Sequence, residues 1–87
     1  MSNSSELSQA VKALAEKVDD YIRVPTQASS VSETYASQVN ALIGDRTDGE
    51  TAMGHLQEAS ERFEEAANAL KSATDLLEVA AASIASG

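Results

Sequence analysis

One histidine and a run of glutamates are the side chains here with the means to do chemistry. His55 is the only histidine. Phosphoryl transfer uses an exposed imidazole on a helix, and histidine is the residue type suited to moving protons and groups at neutral pH. One turn on comes Glu58, whose carboxylate would repel an incoming phosphoryl group. A phosphotransfer domain using His55 is therefore the weakest functional alternative. Glu58, Glu61, Glu64 and Glu65 form the densest carboxylate group. At helical spacing they spread over a solvent face rather than converge, and Glu58 pairs with Arg62 four residues on. A di-iron bundle needs inward Glu-x-x-His motifs on two helices. This chain has one reversed copy, His55-x-x-Glu58, and no metal site is expected. Asp45, Asp48 and Glu50 fall short of a calcium loop, which takes more ligands at fixed spacing and a closing bidentate glutamate. They read better as helix caps. No Ser/His/Asp or Cys/His set and no glycine-rich phosphate loop is recognisable. The expectation is no enzyme, with no catalytic, metal or cofactor-binding residues and no small-molecule substrate.

The totals narrow the classes further. At 87 residues the chain is read as one domain, residues 1–87, too small to bury a generous core alone. It has no cysteine and no tryptophan, so disulfides and thiolate metal sites are excluded. Its aromatics are Tyr21, Tyr35 and Phe63, too few for a base-stacking surface. Fourteen acidic against six basic residues leave a formal charge of -8, which repels nucleic-acid phosphates and anionic lipid. The start, Met1 to Glu6, has no basic stretch followed by an apolar one, so no cleaved signal peptide is expected. Glu78 interrupts the most apolar tail, Val79 to Ile84, and no segment reaches bilayer length. The expected location is the cytoplasm as made, with secretion possible only by a route independent of a cleaved signal.

The elements that position these side chains announce themselves by period. Leu56, Phe63, Leu70, Leu77 and Ile84 stand seven apart, and Ala59, Ala66, Ala73 and Ala80 follow the first four by three places. A seven-residue apolar repeat marks a helix packed along a coiled-coil seam. In the first half, Leu7, Leu14, Tyr21, Ala28, Tyr35 and Leu42 form one such series, and Val11, Val18, Pro25, Ser32 and Val39 the second. Both series run in phase through Pro25. The reading is one helix over about 5–43, kinked near Pro25. The alternative is a helix–turn–helix with Thr26 or Ser30 as a new N-cap. Charged residues avoid both series in both halves.

A turn at 44–48 follows. Gly44 suits the left-handed residue that ends a helix, and Thr47-x-x-Glu50 fits a capping box opening the next helix, with Asp48 the competing cap. That second helix is placed at about 49–85. Two arms of roughly 55–60 Å around a tight turn describe an all-α antiparallel helical hairpin. Ile22, Ile43, Met53 and Leu76 lie beside or away from the seam and form a candidate partner interface. They motivate a dimer of hairpins, a four-helix bundle, with a protein partner that is either a second copy or another helical chain.

An acidic hairpin with a glycine turn at mid-length, carrying Leu42-Ile43-Gly44 and then Ala52-Met53-Gly54-His55-Leu56-Gln57-Glu58 before Phe63 and an alanine-rich tail, resembles the WXG family. These are the early-secreted-antigen-like proteins of type VII secretion. Leu42-Ile43-Gly44 stands where that family has its Trp-x-Gly turn, so leucine replaces the tryptophan. The family's export signal, a tyrosine followed four residues on by an acid, is absent: Pro25 follows Tyr21 and Val39 follows Tyr35 at that spacing. The resemblance implies a secretion substrate, or a partner or adaptor that leaves the signal to another chain. The alternative is a cytoplasmic structural or scaffolding helical protein of phage or mobile-element type.

Overall fold

A computed structural model describes residues 2–87, with Met1, the first residue of the signal-peptide reading, outside them. The fold is an all-α helical hairpin. Helix α1 runs Ser2–Tyr21, α2 runs Arg23–Ile43 and α3 runs Thr47–Ser86. The first arm is helical except at Ile22, whose N–H bonds the Asp19 carbonyl at 3.2 Å, three residues back. Proline causes this. Pro25 has no N–H to give the Tyr21 carbonyl, and its ring crowds that carbonyl. Pro25 then sits in the first turn of α2, where a missing donor is tolerated. The kink expected near Pro25 is thus a one-residue interruption. Helix resumes at Arg23, so neither Thr26 nor Ser30 starts one.

The connection is shorter than expected, and α3 is under way by Thr47. None of the described glycines has positive φ, which corrects the left-handed reading of Gly44. Its N–H instead continues the helical pattern to the Asn40 carbonyl at 3.1 Å. Glycine is needed at Gly49 for a steric reason: a Cβ there would run into the Ile43 carbonyl oxygen. The Glu50 N–H bonds the Arg46 carbonyl at 3.0 Å. Asp48 accepts from the Gly49 N–H at 3.0 Å and from the Arg46 guanidinium at 3.1 Å. A carboxylate in this first turn also suits the positive end of the helix dipole.

Two compact units divide the chain. Unit 1 comprises residues up to Ile22 with Asn68–Gly87, and unit 2 comprises Arg23–Ala67. Unit 1 pairs α1 with the last part of α3, running oppositely. The Ser8 hydroxyl donates to the Ala81 carbonyl at 2.8 Å, while Asp19 at the other end of α1 acts on Lys71. Its buried residues are Ala15, Thr74 and Ala81, with Val11, Val18, Leu70, Leu77 and Ile84 half-buried around them. Unit 2 pairs α2 with the first part of α3, also antiparallel. Pro25, Ser29, Ser32, Ala36, Gly49 and Ser60 are buried there, with Val39, Met53, Leu56 and Ala67 half-buried.

The seam is thus narrow and lined by small residues. On the first arm it is Ser8, Ala15, Ile22, Ser29 and Ala36 alternating with Val11, Val18, Pro25, Ser32 and Val39. The second of these series is the expected one. The first lies one residue later than the expected Leu7, Leu14, Tyr21, Ala28, Tyr35 and Leu42, and every member of that expected series except half-buried Ala28 is exposed. On α3 the small series is Ser60, Ala67, Thr74 and Ala81. The expected Ala66 and Ala73 are exposed, and Ala59 and Ala80 only half-buried. One residue is about 100° of helix rotation, so a one-place offset moves a side chain from the seam to its flank. The fully buried places of the seam hold small residues, while Leu56, Leu70 and Leu77 reach it half-buried and Tyr21 and Tyr35 stay exposed.

Candidate interaction face

The offset creates two unlike flanks in unit 2. On one flank, α2 places Val24, Ala28, Val31 and Tyr35 at helical spacing along a single stripe, and α3 adds Phe63. Together with Gln27 and Ser32 these residues line a shallow groove with no charged side chain. Tyr35 is 53% exposed and Phe63 37%. Leu42, the leucine standing where the resemblance expects tryptophan, is 81% exposed. Beside it Ile43 is marginally exposed and Gly44 half-buried. Unit 1 has its own exposed apolar side chains, Leu7, Leu14, Tyr21, Leu76 and Val79.

The opposite flank of unit 2 is polar and built around two buried hydroxyls. Ser29 Oγ and Ser60 Oγ lie 2.8 Å apart across the seam. Ser29 reaches Glu64 at 3.3 Å, and Ser60 reaches Glu33 at 3.1 Å. The local logic is the same on both helices. Each serine sits on the seam with a glutamate four residues on, one turn along the rim, and antiparallel pairing brings each glutamate to the other helix's serine. Two hydroxyl protons serve three contacts, so the chain of bonds runs toward Glu33 or toward Glu64 and leaves no buried serine oxygen without a partner. No buried polar side-chain atom is unpartnered among the described residues. A groove on this flank is lined by Glu33, Ser60, Glu61 and Glu64 with Asn40 and Gln57, and it presents negative charge.

His55 is solvent-exposed, with Nδ1 3.8 Å from Glu58 Oε1, which keeps a carboxylate where a phosphoryl group would approach. Glu58 also accepts from Arg62 at 3.1 Å; that hydrogen bond, then the charges of Arg62 and His55, hold its pKa below the usual carboxylate range. The Arg46 hydrogen bond does the same for Asp48. On Lys71 the effect is opposite: its hydrogen bond to Asp75 raises the ammonium pKa. Glu58, Glu61 and Glu65 face solvent as expected, whereas Glu64 turns to Ser29. Of the expected partner strip, Ile22 and Met53 are half-buried at seam positions, while Leu76 and Ile43 are exposed.

Sequence reasoning missed Ser8, Ser29, Ser60 and Glu33. The signal was present, since small residues recur every seven places four positions after Leu56, Phe63, Leu70 and Leu77. It was hidden by the alanine series three positions after them, which fits a heptad equally well. No helix among the described residues is long and apolar enough to cross a membrane. Compared with family models, curated proteins and solved structures, the chain matches none.

Proposed function

We propose that this chain is a non-enzymatic recognition module that works by pairing a helix face with another helical protein. In the reading we favour, it is a WXG-like substrate, partner or adaptor of a type VII-like secretion system. The observation that supports pairing is the charge-free stripe of Val24, Val31, Tyr35 and Phe63 left open in unit 2. A contiguous apolar patch of this kind on a small acidic protein marks an interaction surface. Export rests on the resemblance alone. Because neither tyrosine is followed by an acid four residues on, a partner carries the export signal.

The test is export of the tagged chain from its native host, with and without the system's ATPase. Appearance in the medium only when the ATPase is present supports the secretion role. Retention in the cytoplasm in both cases removes it and leaves the scaffolding role.

A further inference from the structure

We propose that the Asp48–Gly49 bond is a covalent modification site. There the chain converts its own aspartate to isoaspartate through a cyclic imide, and the Arg46 guanidinium is the brake on that reaction. The chemistry needs only water, so the site stands independently of the pairing and export readings.

The turn itself builds the reactive pair. A carboxylate at Asp48 caps the start of α3. Glycine must follow, because a Cβ at position 49 would meet the Ile43 carbonyl. Asp48 is the only aspartate in the sequence followed by glycine, and no asparagine is. Without a Cβ, nothing on Gly49 shields its amide nitrogen. That nitrogen lies in the first turn of α3, where amides lack a main-chain partner one turn back. It donates instead to Asp48 Oδ1 at 3.0 Å. The nucleophile thus rests against the carboxyl group it attacks. The Asp48 side chain is 68% exposed, so water reaches it, and fraying of the helix end lets the nitrogen close on Cγ.

The neutral carboxyl group is the form that reacts. Gly49 N gives up its proton and bonds to Asp48 Cγ, and the carboxyl hydroxyl leaves as water. Water then adds to one of the two imide carbonyls and opens its C–N bond. Opening at Cγ restores aspartate. Opening at the Asp48 main-chain carbonyl leaves the chain running through the side chain, which is isoaspartate. Water lost in the first step is regained in the second, and nothing is oxidised or reduced.

Arg46 opposes the first step. Its Nε donates to Oδ1 at 3.1 Å and its Nη2 to Oδ2 at 3.3 Å. This pairing holds the carboxyl group ionised, and an ionised carboxylate has no hydroxyl to release as water. Isoaspartate adds an atom to the main chain where Gly49 packs on the Ile43 carbonyl. It also disrupts the spacing by which the Glu50 N–H reaches the Arg46 carbonyl. The connection between α2 and α3 therefore loosens.

The test ages the full chain at physiological temperature in water enriched in heavy oxygen, followed by peptide mapping. Heavy oxygen is expected at Asp48, with isoaspartate there confirmed by an isoaspartyl methyltransferase and labelled S-adenosylmethionine. The rate should fall from mildly acidic to mildly alkaline pH, the reverse of asparagine deamidation. Asp48→Glu, which keeps the carboxylate but needs a larger ring, should lose the label. Arg46→Gln should accelerate labelling severalfold above the Asp48 titration and not below it, with helicity unchanged by circular dichroism. No label at Asp48 in either the native chain or Arg46→Gln overturns the site. Acceleration that is absent, or equal at every pH as from a merely looser turn, overturns the brake.

Discussion

Ser29 and Ser60 show how much a single residue type decides here. A buried hydroxyl without a partner costs roughly 1–3 kcal/mol, whereas removing both partners together is nearly neutral. Each serine in this pair has a glutamate as well as the other serine. Ser29→Ala is therefore expected to cost about 1 kcal/mol, and the double variant Ser29→Ala with Ser60→Ala clearly less than the two singles added. A double-mutant cycle by urea unfolding measures this, and strict additivity would mean that the hydroxyls are uncoupled. At the surface, Arg62→Ala should let the Glu58 titration midpoint rise toward the usual carboxylate value, read by NMR against pH. The sign is set by linkage. A depressed carboxylate pKa adds stability above the ordinary value that is lost as pH falls through the folded one. For Asp48 and Glu58 that places the loss on the acid side. Lys71, with its raised pKa, contributes below the ordinary lysine value and loses its share as pH climbs through the folded one. All three side chains are exposed, so these contributions are small.

Between elements, the deciding quantity is the distance at which the helices of each unit meet. Ala15 and Thr74 are each only 2% exposed, which leaves no room for a larger side chain. Ala15→Leu is expected to cost about 1–3 kcal/mol by forcing the backbones of unit 1 apart. That corresponds to a fall in Tm of roughly 4–8 °C per kcal/mol for a chain of this size. Leu14→Ala, one residue away on the flank, should cost much less. Were the reverse found, with Ala15→Leu tolerated and Leu14→Ala damaging, the seam would be the bulky one expected from sequence. The two readings differ by a single step because the heptad admits a partner series either three or four places from Leu56 and Phe63. Hydrophobicity favours the three-place answer on α3, where alanine outranks serine and threonine. Close packing favours the four-place answer, because hydroxyls can bond across a narrow gap.

For the molecule as a whole, small size and a core of alanine and hydroxyl residues leave little hydrophobic stabilisation to offset the conformational entropy of 87 residues. If association supplies the difference, the Tm must rise with protein concentration by mass action. A thermal melt repeated over about a hundredfold dilution range reads this directly. A Tm that does not move would mean the hairpin holds itself together. The charge of -8 adds a second dependence, since screening weakens repulsion between like-charged copies. Association through the apolar flank should therefore strengthen with salt.

The sequence by itself determined the helical class, the two arms and the position of the turn, because these follow from the local apolar period and from its interruption between Gly44 and Gly49. It also marked out Val11, Val18, Pro25, Ser32 and Val39 as one inward series, since valines among polar neighbours leave a single sensible face. Only tertiary structure decided which second series joins them, and with it whether Leu14 and Tyr35 or Ala15 and Ala36 lie inside. That choice turns on how closely two backbones pack, a property of the pair that no one helix carries in its own pattern.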